Sequence, residues 1–227
     1  MSSLTLCALT LAATLGAPAQ AQPAPVVAPS PASISAPAPA PLAPGIPQCD
    51  GVIIIDGNYR TIKKVCAESP TDDDMRDRIS VLMEGFVDFP EFGQLALGKY
   101  WDTLSEKQRG EYLDEFKKLL KRTYLRRFTR GQDFNFSYRS GCSLNAGGDR
   151  MQVQTTIKSG ETEVDVDYRF HKKADRWQVY DLVVDEVSVM RNYRTNFVRI
   201  LKNEGFEALL KKMREKTSSS LNKDDEI

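Results

Sequence analysis

The chain has 227 residues, with 31 basic and 31 acidic side chains and a formal net charge of zero. That balance excludes a nucleic-acid binder that works by neutralising many phosphates. A single histidine, His171, excludes a multi-histidine zinc site, while a hydrophobic fraction of 41% excludes global disorder.

No charged residue precedes Asp50. Residues 1–21 read MSSLTLCALTLAATLGAPAQA. The apolar run over residues 4–15 is too short to span a bilayer, which needs about 20 residues, but it suits a signal peptide. Ala19-Gln20-Ala21 is the expected cleavage site, so the mature chain starts at Gln22. No Lys or Arg stands before the run, which points to a start codon upstream. Residues 22–48 are rich in Ala and Pro, and ten of the twelve prolines lie between Pro18 and Pro47. Such a segment favours extended conformations and is expected to be a disordered linker rather than a proline-motif ligand. The folded domain is expected over residues 49–216, with a polar tail over residues 217–227.

Export implies an oxidising compartment. Cys49 and Cys66 are a candidate disulfide closing a short loop, with Cys142 free. The other two pairings stay open, because connectivity is not fixed by sequence.

Residues 58–68 suggest a short helix, and the apolar run at residues 52–55 before it has no clear assignment. Thr71 is a good N-cap, followed by Asp72, Asp73 and Asp74 in a first helical turn, where carboxylates oppose the helix dipole. Met75, Ile79, Leu82, Met83 and Phe86 then recur at helical spacing. Pro90 suits the start of another helix. Ser105 and Gln108 form a capping box, opening a helix expected to reach about Arg127. Its apolar face runs through Tyr112, Phe116, Leu119, Leu120 and Tyr124. Its other face is basic, with Lys117, Lys118, Lys121, Arg122, Arg126 and Arg127.

After Gly131 the period becomes two. Phe134, Phe136 and Tyr138 alternate with polar residues, as do Met151 to Ile157 and Val164 to Phe170, so these are antiparallel strands with one wet face. A fourth strand is expected over residues 177–185, with its inward side ambiguous. Ser188 caps a last helical section that Gly205 interrupts. The predicted class is α+β: a curved four-stranded antiparallel sheet with helices closing over its apolar face.

No nucleophile–base pairing stands out. Asp165 and Asp167 share the wet face and are expected to be solvated. His171, at a strand end, is expected to be exposed. Asp181 lies among apolar residues, where it is either a backbone-capping carboxylate or the general base of a cone-shaped cavity. The basic face is a solvated surface or a contact for anionic headgroups or an acidic partner. No cofactor or metal is expected.

Two stretches are familiar together: LALGKYWDTLSEKQRGEYLDEFKKLLKRTY at residues 95–124 and RWQVYDLVVDEVSVMRNYRTNFVRILKNEGFEALLKKM at residues 176–213. Their ordered pieces include Leu97-Gly98-Lys99-Tyr100-Trp101, Gln108-Arg109, Thr123-Tyr124, Val187-Ser188, Asn192-Tyr193-Arg194 and Phe197. The set resembles the MlaC-like, toluene-tolerance family of periplasmic phospholipid-binding proteins that serve an ABC transport system. One departure is Glu186, where the family usually has Gly, so the turn there is expected to differ. The resemblance implies an NTF2-like cone with an apolar cavity for acyl tails. It implies a monomer, with no catalytic role, shuttling phospholipid between an outer-membrane lipoprotein complex and an inner-membrane ABC transporter complex. Candidate tail contacts are Phe86, Leu97, Tyr100, Trp101, Phe116, Leu120, Tyr124, Val153, Val166, Tyr168, Phe170, Val179, Tyr193 and Phe197. Lys117, Lys121 and Arg122 are candidates for headgroup or partner contact. An enzyme using Asp181, or a solid-cored envelope interaction module, are the rival readings.

Overall fold

Helix α1 (Asp50–Glu68) opens directly after Cys49 in the computed structural model, which describes residues 49–218. The expected signal peptide and linker, and residues 219–227 of the expected tail, lie outside the described residues. α1 is longer than its sequence suggested. It takes in the unassigned run at residues 52–55, because Val52 and Ile55 are buried against the sheet, where packing overrides the poor helix propensity of β-branched residues. This also overturns the expected Cys49–Cys66 disulfide. The two cysteines stand at opposite ends of α1, roughly 25 Å apart at about 1.5 Å per residue, which no disulfide bridges. Cys49 pairs instead with Cys142, and Cys66 is a buried free thiol whose pKa is raised by desolvation.

Helix α2 (Asp72–Phe86) is capped by Thr71, whose hydroxyl accepts from the Asp74 amide at 3.1 Å. Helix α3 (Phe89–Leu97) carries Pro90 in its first turn and leads into a 3-10 segment, Gly98–Thr103, that holds Tyr100 and Trp101. Helix α4 (Glu106–Leu125) has the expected Ser105/Gln108 capping box and ends slightly before Arg127. α5 (Val189–Asn203) and α6 (Phe206–Ser218) are separated at Gly205, whose φ of +87° favours glycine. α6 takes in Thr217 and Ser218, so the helix runs two residues past the expected domain end.

The sheet has six strands rather than four: β1 (Asn135–Tyr138), β2 (Ser143–Leu144), β3 (Arg150–Ser159), β4 (Thr162–Lys173), β5 (Arg176–Val184) and β6 (Val187–Ser188). The four long strands are the ones the alternation marked. β2 and β6 are two-residue pairings, too short to leave a period-two signal. The order is β1-β3-β4-β5-β6, all antiparallel, with β2 also on β3. A bulge interrupts the β4–β5 register: Arg169 faces Asp181 and Phe170 faces Val179, leaving Tyr180 extra. That extra residue places both Val179 and Leu182 on the apolar side, which explains the ambiguous sequence pattern.

The turn from β5 to β6 puts Asp185 and Glu186 at φ values of +45° and +70°. Both central residues are left-handed, the geometry of a tight hairpin turn that favours glycine or asparagine. Glu186 thus occupies a strained position.

Three apolar clusters form the interior. One joins α3, α4, α5 and α6. A second packs α1 onto β3, β4 and β5. A third joins the end of α1 to α2, Leu125 and Phe134. Gly51 permits the close seat of α1, since a Cβ there would stand 2.7 Å from a Val153 methyl.

Candidate functional site

Register places the apolar side of the sheet in ordered rows. Met151, Phe170 and Val179 form one row, and Val153, Tyr168 and Leu182 the next. Tyr138, Thr155, Val166 and Val184 form a third, and Phe136, Ile157 and Val164 a fourth. Thr155, the one polar member of the third row, donates its hydroxyl to the Val166 carbonyl at 2.7 Å.

Cover over these rows is uneven. Met151, Phe170 and Val179 are 4%, 0% and 0% exposed. Val52 and Ile55 of α1 and Phe86 of α2 lie on them, and Phe86 meets the Phe170 ring edge-on at 6.0 Å. This end is also stapled. The Cys49–Cys142 bridge holds the start of α1 next to β2, the Trp177 indole donates to Asp50 at 3.0 Å, and the Asp88 amide donates to the Val179 carbonyl at 2.9 Å. The other end is less covered: Ile157, Val164, Leu182 and Val184 are all half-buried.

The three clusters converge over that second end without merging. Phe86 and Leu182 fringe both the helical and the sheet clusters, while Met83 fringes the helical cluster and the one at the end of α1. Met83, Phe86 and Tyr124 are themselves half-buried. The half-buried apolar surface between the sheet, α2 and the end of α4 is therefore the first candidate site. Tyr168 and Tyr193 are desolvated: burial pushes the Tyr168 phenol up to about 12 and raises that of Tyr193. A concavity of about 770 Å³ between α4, α5 and α6 is the second, lined by Leu119, Phe197, Ile200, Leu209 and Met213 together with polar residues such as Arg199.

The fourteen predicted tail contacts divide by place. Phe86, Tyr124 and Tyr168 are half-buried on the surface between the sheet, α2 and the end of α4, Val166 is buried in the third row, and Tyr193 is buried between Phe116 and Phe197. Val153, Phe170 and Val179 lie under α1 and Phe86 at the closed end. Leu97, Phe116 and Leu120 are packed inside the helical cluster, and Phe197 is shared between that cluster and the concavity. Tyr100 and Trp101 sit in the 3-10 segment, where the Arg109 guanidinium stacks over Trp101. Met83, Ile157, Val164, Leu182 and Val184 are half-buried on the same surface and were absent from the prediction. The first three lie on stripes that the periodicity showed. The last two were hidden by the bulge.

The basic face of α4 is partly neutralised within the molecule. Lys117 and Lys121 both pair with Glu84 of α2, the former at 2.8 Å, and hold its carboxyl below the usual range. Arg122, beside them, is half-buried.

Asp181 is fully buried on the opposite side of the sheet from the first candidate site. It accepts from the Ser188 hydroxyl at 2.7 Å, the Met190 amide at 2.9 Å and Arg169 at 3.0 Å, so it anchors the start of α5. His171 is buried rather than exposed. Its Nε2 lies 3.0 Å from Asp88, the N-cap of α3, which Lys173 also approaches. A strand end here is covered because α3 begins beside it. Asp165 and Asp167 are held by Arg139 rather than simply solvated, the latter also accepting from Gln152. Among the described residues no group of His, Cys, Asp and Glu is arranged to hold a metal ion, and no helix is long and apolar enough to cross a membrane.

The fold is similar to that of a phospholipid-binding protein from Ralstonia solanacearum, solved in complex with a phospholipid. The TM-score is 0.59 at 24% identity, covering 72% of this chain and 92% of that one. In sequence the chain is 25% identical over 142 residues to the intermembrane phospholipid transport system binding protein MlaC of Haemophilus influenzae. That match covers 60% of this chain and 65% of the relative. Residues 58–215 match the family model described as MlaC protein, most of the chain, and the chain belongs to that family.

Proposed function

We propose that the chain is a phospholipid carrier of the periplasm, exported behind a signal peptide. It takes acyl tails into a recess between sheet and helices, which forms the cavity of an NTF2-like cone. The observation that carries this reading is the graded cover of the apolar sheet face. One end is sealed, and the other is lined by aliphatic and aromatic side chains that the helices leave half-buried. The names of the Haemophilus relative and of the Ralstonia neighbour, which holds a phospholipid on this fold, support it.

The energetics suit such a recess. Two acyl chains carry about 30 methylenes, and at about 0.8 kcal/mol each their exposure to water costs on the order of 20 kcal/mol. A carrier must cover most of that surface. Tail burial supplies this without any catalytic group. Tight burial also makes release slow, so handover needs partners that compete for the tails. Those partners are an outer-membrane lipoprotein complex and an inner-membrane ABC transporter complex. Lys117, Lys121 and Arg122 meet the headgroup or a partner surface. For the two lysines, an incoming phosphate competes with Glu84.

The test is native mass spectrometry and organic extraction of the exported protein. The carrier retains phospholipid at near-stoichiometric amounts. A folded protein that is lipid-free and refuses added phospholipid contradicts the reading.

A further inference from the structure

Glu84 of α2 stands between two lysines of α4. It pairs with Lys117 at 2.8 Å and with Lys121, and the three side chains are 45%, 37% and 18% exposed, so a ligand can reach them from solvent. The trio also adjoins the half-buried apolar surface in both helices. Glu84 directly follows Met83 and stands two residues before Phe86. Lys121 stands three residues before Tyr124, a spacing that makes the two neighbours on a helix. Met83, Phe86 and Tyr124 are all half-buried. Charged groups beside an apolar surface suit an amphipathic ligand, with its tails on the surface and its headgroup at the charges.

The order of charges, cation–anion–cation, decides which headgroup fits. A lipid phosphate is drawn to the lysines and competes with Glu84 for them. Glu84 stays ionised, because Lys117 and then Lys121 hold its carboxyl below the usual range. A phosphate that takes the lysines therefore leaves a carboxylate beside it without a counter-charge, and the two anions repel. A headgroup that carries its own ammonium removes the conflict: its phosphate meets the lysines and its ammonium meets Glu84. A headgroup that ends in neutral hydroxyls does not. We propose that Glu84 is a selectivity residue that favours phospholipids with a zwitterionic, ammonium-bearing headgroup over those with an anionic, polyol headgroup. The inference rests on the carrier reading. It is the opposite of what the basic face of α4 would give without Glu84, since lysines alone favour the more anionic lipid.

The experiment equilibrates the lipid-stripped, exported wild-type protein with vesicles of equal parts dioleoyl phosphatidylethanolamine and dioleoyl phosphatidylglycerol. The protein is re-isolated, and its bound lipid is extracted and counted by mass spectrometry. Glu84→Gln is treated in the same way. So is Glu111→Gln, which removes the same charge from α4 away from the trio, where Glu111 pairs with Lys107. One partly exposed ion pair predicts a wild-type preference for the ethanolamine lipid of about two- to five-fold. Glu84→Gln loses that preference or turns it towards the glycerol lipid, and Glu111→Gln keeps it. A wild type that takes both lipids equally, or prefers the glycerol lipid, overturns the inference and leaves the carrier reading standing. So does a preference that survives in Glu84→Gln, or one that Glu111→Gln abolishes as well, which would make it an effect of net charge. A folded wild type that takes up neither lipid removes the carrier reading itself, and this inference with it.

Discussion

The two ends of the apolar sheet face are built from similar residues and treated differently. Around Met151, Phe170 and Val179 the face is sealed by α1 and Phe86 and stapled by a disulfide, an indole–carboxylate bond and a backbone bond from Asp88. Around Ile157, Val164 and Val184 the same alternation continues, but the side chains stay half-buried. Apolar character is therefore not what distinguishes core from site here. The distinction lies in what the covering helices reach: one sheet is a foundation at one end and, in the proposed reading, a ligand surface at the other.

The comparison breaks most visibly by truncation at the sealed end. Phe170→Ala is expected to cost about 3–5 kcal/mol, as large-to-small changes at fully buried aromatics do. Denaturant unfolding measures it. Val166→Trp, in the row nearer the open end, is expected to cost no more than about 1–3 kcal/mol while clearly lowering bound phospholipid. Unchanged lipid stoichiometry in that variant counts against the recess. Breaking the staple comes next. Cys142→Ser is expected to cost about 2–4 kcal/mol, since the bridge closes a loop with a sequence separation of 93. Among the described residues only Cys66 is a free thiol, and it should react only after unfolding.

Smaller effects sharpen the picture at the margins. Glu186→Gly relieves a left-handed glutamate and should stabilise by about 1 kcal/mol, seen as a raised melting temperature. Smallest is the link from α2 to α4. Lys117 and then Lys121 lower the Glu84 pKa, so the contribution of the cluster is present above the ordinary glutamate value of about 4.3. It is lost as pH falls through the lowered folded value. The groups are partly exposed, so it should be under about 1 kcal/mol. The stability gap between wild type and Glu84→Gln at pH 7 should shrink as the pH falls below the ordinary glutamate value.

Much of this architecture was legible in the sequence because local rules governed it. Thr71, Ser105 and Ser188 cap helices where their hydroxyls meet free amides, and the long strands follow strict alternation. What escaped was set by tertiary contact. Residues 52–55 are helical because the sheet buries them. His171 is covered because α3 starts beside it. Cys49 meets Cys142 because β2 brings that loop to the start of α1. The site was less legible than the fold. Apolar stripes mark buried and half-buried positions alike, so the prediction mixed sealed residues such as Leu97 and Phe116 with half-buried ones such as Tyr168. The bulge at Tyr180 hid Leu182 and Val184, because an extra residue changes the face without changing composition. Glu186 is a case where the departure from the resembling family had a visible consequence, a non-glycine residue in a left-handed turn.

The most direct measurement is to load the protein with a phospholipid carrying a photoreactive diazirine near the end of one acyl chain and map the crosslinked peptides. The account predicts labels on α2 around Met83 and Phe86 and on the strands around Val164 and Val184, with none on Met151 or Val179. Labels confined to Leu119, Ile200 and Met213 would place the tails between α4, α5 and α6 and contradict the assignment of the sheet recess.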